Sequence, residues 1–341
     1  MFELNKITRR NIERLTAYSS ARDEFSGKQG VFLDANENPY GTLNRYPDPY
    51  QKQLKKEISK TNGIKAINTF IGNGSDEVID LLFRIFCNPA IDKALTFSPS
   101  YGMYDVCAGI NDVELLKIPL DDAFDIDFES VKTHLADRNL KLILICAPNN
   151  PTGNIPSPKT VVRIIKNFSG IVLIDEAYIN FSAKKSFTDL IAIYPNLIVS
   201  QTMSKAWGLA AARIGMAFGN AALIALLNKV KPPYNISALN QNAAIKALKK
   251  SSKFLTHKAQ ILENKVQLYK ALKKLDLVLS IYPSDTNFFL VECRDANKTY
   301  DALVEQNIIV RNRNNVLKNC IRITVGTANE NQILIDALKL I

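Results

Sequence analysis

Short apolar runs recur through the middle of the chain, each closed by a turn and followed by a stretch with helical spacing. Residues 67–71, 93–97, 140–146, 171–174, 196–200 and 214–218 read as strands on this pattern. Helices are predicted from about 50 to 61, from Ser75 to about 86, and from Tyr101 through about 109. Strands that are apolar throughout are buried on both faces, and the helices between them supply the cover. The pattern predicts an α/β unit with a mostly parallel sheet between helices.

The rhythm changes after Lys231-Pro232-Pro233-Tyr234. A long helical stretch at 237–275 is followed by paired strands at 277–282 and 286–292, then a helix at 296–306. Strands at 308–311 and 321–325 and a closing helix at 330–340 complete an α+β layout. The expected organisation is an N-terminal arm at 1–30, a large domain at 31–235 and a smaller one at 236–341.

Composition narrows the function classes. A chain of 341 residues, 47% hydrophobic and 22% charged, has enough apolar surface for two cores. No apolar run approaches the ~20 residues that span a bilayer, and the first ten residues lack a signal peptide's apolar centre. The expectation is a cytoplasmic protein without membrane contact. Cys87, Cys107, Cys146, Cys293 and Cys320 are scattered with no C-x-x-C pair, which argues against disulfides and structural zinc. His134 and His257 stand alone in charged helical contexts, so His-based triads and metal sites are not expected. The net charge of +10 is spread along helical stretches, as at Lys246, Lys249 and Lys250. With no basic arm, finger or RNA-binding signature, it reads as solvated helix faces that help steer anionic substrates, not as a nucleic-acid surface.

The most pointed chemistry lies between Ser200 and Gly215. Lys205 follows Thr202 and Ser204, and no charged residue comes after it until Arg213. An amine kept among apolar residues loses protonation and becomes a nucleophile, while two hydroxyls and an arginine suit a phosphate. A Schiff-base lysine beside a phosphate site and a snorkelling lysine in a buried loop fit this stretch equally well. Other candidates sit at strand ends, where parallel sheets bind ligands. Gly72-Asn73-Gly74-Ser75-Asp76 offers a phosphate the free N–H groups of a helix start, or is a plain N-cap. It fits neither G-x-G-x-x-G nor the Walker pattern, which disfavours dinucleotides and nucleoside triphosphates. Asn149-Asn150-Pro151-Thr152-Gly153 is a turn whose Asn150 amide suits a ring oxygen. In Asp175-Glu176-Ala177-Tyr178 the aspartate suits a protonated ring nitrogen, or caps the next segment. Tyr101 is placed to stack on a flat ring, or belongs to the core.

Taken in order, G-x-G-S-D, S-P-x-Y-x-x-Y, N-N-P-T-G, D-E-A-Y and S-K-x-x-x-L-A-x-x-R-x-G are similar to the motifs of fold-type I pyridoxal-phosphate aminotransferases. Within that superfamily the chain resembles the histidinol-phosphate aminotransferases. The closer resemblance rests on Tyr18-Ser19-Ser20-Ala21-Arg22, Leu33-Asp34-Ala35-Asn36-Glu37-Asn38-Pro39, Arg45-Tyr46-Pro47-Asp48 and Ile321-Arg322-Ile323-Thr324-Val325-Gly326-Thr327. It covers nearly the whole chain from Tyr18 onward.

The resemblance implies roles for named residues. Lys205 matches the lysine that holds pyridoxal 5'-phosphate covalently and later moves the proton. Asp175 matches the partner of the ring nitrogen, which makes the ring an electron sink. Asn150 and Tyr178 match the groups on the ring oxygen, and Tyr101 the stacking aromatic. Gly74, Ser75, Asp76, Thr202, Ser204 and Arg213 match the phosphate cup. Tyr46 matches a tyrosine that reaches the cofactor from the neighbouring subunit, which implies a homodimer. Arg322 matches the arginine on the anionic end of the substrate, with Arg311 as a second guanidinium and Tyr18 as a further phosphate contact. The implied reaction passes the amino group of histidinol phosphate to 2-oxoglutarate, giving glutamate. An aromatic or broad-range aminotransferase, or a threonine-phosphate-type decarboxylase, would keep the same cofactor residues. A regulator with an aminotransferase-like sensor would need a DNA-binding domain, for which a match starting near Tyr18 leaves no room.

Overall fold

The computed structural model describes residues 2–19 and 30–341. Ser20, Ala21 and Arg22, with much of the expected arm, lie outside the described residues. The large sheet has seven strands: β1 (Thr69–Asn73), β2 (Lys93–Ser98), β3 (Glu114–Pro119), β4 (Leu140–Cys146), β5 (Ile171–Asp175), β6 (Leu197–Thr202) and β7 (Ile214–Gly219). Their order is β1-β7-β6-β5-β4-β2-β3. The neighbours from β6 through β3 run parallel, while β7 is antiparallel to both β6 and β1.

Both faces of the sheet are covered, as uninterrupted apolar strands require. One face packs Leu142, Leu144 and Leu173 against Val78, Leu82 and Ile85 of the Ser75–Phe86 helix. The other packs Ile143, Ile145 and Val172 against Val161, Ile164 and Ile165 of the Pro158–Asn167 helix. Each such side chain taken fully out of water contributes about 1.5–3 kcal/mol. The start of the chain is tied to the same unit: Arg9 N–H donates to Ile85 O at 3.0 Å, and Ile12 joins the core.

Several elements differ from their expected extent. β1 begins two residues later than the apolar run, because Ala66–Asn68 form a 3-10 turn. β3 is an additional strand that the pattern did not give. Among the described residues it pairs only with β2, and its Glu114 and Lys117 are exposed, so it has no apolar run. The long helical stretch is two helices, Ala238–Lys249 and Ser251–Leu272, broken at Lys250 (φ −111°, ψ 41°). Ala244, Ile245 and Leu248 of the first pack with Leu54, Ile58 and Ile71, on the large-sheet side of the molecule.

A second, antiparallel sheet has the order β10-β11-β9-β8. Its strands are β8 (Val278–Ile281), β9 (Phe288–Cys293), β10 (Arg311–Asn312) and β11 (Cys320–Thr324). Phe289, Val291, Ile321 and Ile323 turn to Leu268, Leu272, Leu303 and Leu334 of the surrounding helices. The alternate positions face the large sheet, where Phe288 packs with Tyr178, Phe181 and Ala206. The two sheets are also joined by Asp285 N–H donating to Gly153 O at 2.7 Å and Ser182 Oγ donating to Asp285 Oδ1 at 2.9 Å. Among the described residues no helix is long and apolar enough to cross a membrane.

Candidate active site

The parallel register sets the floor of a cleft. Cys146 of β4, Asp175 of β5 and Ser200 of β6 stand in one row across the sheet at the strands' carboxyl ends. Asp175 is 2% exposed and accepts from Tyr104 Oη at 3.2 Å, Ser200 Oγ at 3.1 Å and Ala177 N–H at 3.2 Å. Burial nonetheless pushes its carboxyl up to about 6, the three hydrogen bonds pulling the other way. A carboxylate held by donors yet short of a cation suits a ligand that brings an N–H⁺ to it.

At one end of the cleft the Ser75–Phe86 helix begins without a side-chain cap, leaving its first N–H groups for a ligand. The approach there is close. Gly74 has φ 78°, and a Cβ on it would run into the Arg213 guanidinium; a Cβ on Gly215 would run into the Gly74–Ser75 backbone. Arg213 itself is left-handed (φ 49°), and its C=O accepts from Gly74 N–H at 2.8 Å. Its Nη2 lies 3.3 Å from Asp76 Oδ2 and its Nη1 3.5 Å from Ser204 Oγ, while Thr202 Oγ1 donates to Ser204 Oγ at 2.9 Å. Backbone N–H groups, two hydroxyls and a guanidinium make a donor set for a phosphate.

Between the Asp175 floor and this cup stands Lys205, its Nζ 5.7 Å from the centre of the Tyr178 ring. Its pKa is lowered, first by burial and then by Arg322. Arg322 comes from β11 and donates through Nη1 to Asn150 Oδ1, with its guanidinium 5.1 Å from the Phe288 ring. Tyr101 closes another side, donating to Asp76 Oδ1 at 3.2 Å and meeting Tyr104 edge-on at 5.7 Å.

These residues fit a flat, N-protonated ring carrying a phosphate, which is the form of pyridoxal phosphate. The family described as aminotransferase class I and II matches residues 28–338. This chain belongs to it. A histidinol-phosphate aminotransferase of Cytophaga hutchinsonii is 49% identical, over 99% of this chain and 99% of that one. Among solved structures, the histidinol-phosphate aminotransferase of Clostridium acetobutylicum is similar with a TM-score of 0.80 and 26% identity, covering 87% of this chain and 90% of that one. The enzyme of that name from Sinorhizobium meliloti, solved in complex with pyridoxal-5'-phosphate, has the same fold at a TM-score of 0.80 and 23% identity, covering 90% of this chain and 89% of that one.

Of the residues singled out in this class I and II chain, Ser75, Asp76, Tyr101, Asn150, Asp175, Tyr178, Thr202, Ser204, Lys205 and Arg213 line one cleft. Gly74 underlies it and Arg322 reaches Asn150 at its side. Arg311 lies directly across from Arg322 in the β10–β11 register. Tyr46 is elsewhere, stacked on Tyr234 at 4.4 Å in a hollow lined by residues 35–38 and 43–47, Tyr234 and 237–239. Tyr18 is exposed and lines a third hollow with Pro49, Tyr50, Lys231 and Tyr234. The sequence reading missed Tyr104 and Ser200 as donors to Asp175. Tyr104 had a signal, since it closes the S-P-x-Y-x-x-Y motif one helical turn beyond Tyr101; Ser200 is legible only from its register opposite Asp175.

Proposed function

We propose that this chain is a pyridoxal-phosphate-dependent enzyme transferring the amino group of L-histidinol phosphate to 2-oxoglutarate. The products are 3-(imidazol-4-yl)-2-oxopropyl phosphate and L-glutamate. The observation that carries the reading is Arg322, reaching from the second sheet to Asn150 beside Lys205. It sets a cation for the anionic end of a small substrate next to the amine that handles its α-proton. The 49% identity to a histidinol-phosphate aminotransferase supports the choice of substrate.

When bound, pyridoxal phosphate supplies an electrophilic carbon for the substrate amine and a ring that takes up the electron pair left at the α-carbon. Gly74, Ser75, Asp76, Thr202, Ser204 and Arg213 would hold its phosphate, Ser75 and Asp76 through their backbone N–H groups. Asp175 would hold the ring nitrogen, Asn150 and Tyr178 the ring oxygen, and Tyr101 the ring face. Burial and the neighbouring Arg322 favour the neutral form of Lys205, so its Nζ can take the proton from the substrate α-carbon. It would deliver that proton to the cofactor side, not back to the same carbon, as transfer of the amino group requires. Arg322, with Arg311 opposite, binds the substrate phosphate and, in the second half of the cycle, a carboxylate of 2-oxoglutarate. The enzyme acts as a cytoplasmic homodimer, with Tyr46 of one copy reaching the cleft of the other; Tyr18 adds a substrate contact. An arm, a large domain and a smaller domain built on the second sheet make up each copy.

A single-turnover assay tests the reading. Loaded enzyme is mixed with histidinol phosphate, phenylalanine or threonine phosphate while cofactor absorbance and released carbon dioxide are followed. Fast conversion by histidinol phosphate without carbon dioxide is expected; conversion by phenylalanine alone refutes the assignment. Lys205→Ala removes both turnover and the absorbance of the covalently held cofactor, and sedimentation gives twice the chain mass.

A further inference from the structure

The second sheet offers a third guanidinium on the same face as the two already described. Arg313 follows β10 directly, at the start of the loop, and its N–H donates to Cys320 O at 2.9 Å, one step past the Asn312↔Ile321 pair. Residues two apart on a strand share a face, and Arg313 leaves β10 on the side of Arg311 and Arg322, near enough for both guanidiniums and Tyr178 to act on it. That side is the one turned to the cleft. The other face carries Ile321 and Ile323 into the apolar core under the helices, whereas Phe288, in register with Thr324, packs on Tyr178.

Three arginines gathered there find no counter-charge among the described residues. Among the described residues none of Arg311, Arg313 and Arg322 forms an ion pair with a carboxylate. The one acid in the paired positions of that face, Glu292, accepts from Tyr282 Oη at 3.4 Å. The Nε atoms of Arg313 and Arg322 are both buried without a hydrogen-bond partner. Buried donors and like charges left in this condition are costly unless a ligand completes them. The electrostatics agree. Arg313 is held below its ordinary value by burial, then by Arg322 and Arg311, and is pulled back by Tyr178. Arg322 is lowered by burial and by Arg311, against Tyr178.

We propose that Arg313 is a substrate-binding residue: with Arg311 and Arg322 it forms a three-guanidinium clamp for the phosphate of the substrate. A phosphate dianion has enough oxygens and charge for three forks, whereas a single carboxylate engages one or two. Arg313 thereby favours a phosphorylated amine over the same amine without its phosphate. The proposal rests on the substrate class proposed above, and its test separates the two.

Inorganic phosphate is titrated into cofactor-loaded wild type, Arg313→Gln and Arg313→Lys. Half-reaction rates are then compared for histidinol phosphate, unphosphorylated histidinol and glutamate. The expected result is phosphate binding about tenfold weaker in Arg313→Gln and partly restored in Arg313→Lys. The preference for histidinol phosphate over histidinol falls by a similar factor, and the glutamate rate changes little. Unchanged phosphate affinity in Arg313→Gln overturns the clamp, as does an equal loss with all three amines, which marks a structural role. Wild type that binds phosphate through Arg313 yet leaves histidinol phosphate unconverted refutes the proposed reaction while upholding the clamp.

Discussion

Asp175→Asn is expected to stabilise the cofactor-free chain at the pH where it ruins the loaded enzyme. The carboxyl is 2% exposed, and burial pushes it up from 3.8 to about 6. The folded chain therefore holds this proton up to about pH 6, the unfolded chain only to 3.8, and between the two each rise in pH costs the fold. At about 1.36 kcal/mol per pH unit, the ionised buried carboxylate costs about 3 kcal/mol at pH 8. Asparagine removes that cost but gives up one acceptor; its oxygen keeps the Ala177 N–H and Ser200 hydroxyl, so Tyr104 must turn its hydroxyl to accept from the new amide. That exchange costs about 1 kcal/mol. The net gain is about 2 kcal/mol at pH 8, and it becomes a loss of about 1 kcal/mol near pH 4. Urea unfolding of cofactor-free wild type and variant from pH 4 to 8, at one protein concentration, reads the difference. In the loaded enzyme the variant has no anion for the ring nitrogen, and turnover falls by at least about a hundredfold. A variant less stable than wild type at pH 8, or a stability difference that ignores pH, refutes the reasoning.

Two further substitutions test the frame around the site. Gly74→Ala places a Cβ at φ 78° against the Arg213 guanidinium, so cofactor affinity measured by absorbance titration falls at least about tenfold and stability drops by about 1–2 kcal/mol. Thr327→Ala breaks the capping box in which Thr327 and Glu330 satisfy each other's backbone N–H at the start of the Ala328–Leu338 helix, and thermal or urea unfolding registers a loss of about 1 kcal/mol.

How much of this was legible in the sequence depended on what each residue touches. Strands β4, β5 and β6 were plain because they are buried on both faces, which leaves an uninterrupted apolar run to read. The edge strand β3 buries little, and its E-L-L-K-I-P carries no such run. The break at Lys250 was hidden because neither glycine nor proline marks it; the backbone turns there at a lysine between two stretches that both favour helix. Motif order named the residues around Lys205, and the fold brings them into one cleft because parallel strands end at one level.

The arginines show the other limit. Arg322 was legible because its I-R-I-T-V-G-T segment resembles a family motif; Arg313 stood among Arg311, Asn312, Asn314 and Lys318, where a charged residue looks solvated. What separates it from a surface arginine is the pairing of β10 with β11, a contact between segments joined by the loop at 313–319. The predicted strand at 308–311 would have placed the pairing earlier and left Arg313 in the turn. With the observed register, Arg313 follows Arg311 onto the cleft face; one residue of slip would send both to the other side. Charge patterning along a chain does not encode that choice. The choice comes from Ile321 and Ile323, whose burial under the helices fixes which face of β11 carries Arg322, and through the ladder which face of β10 carries its partners.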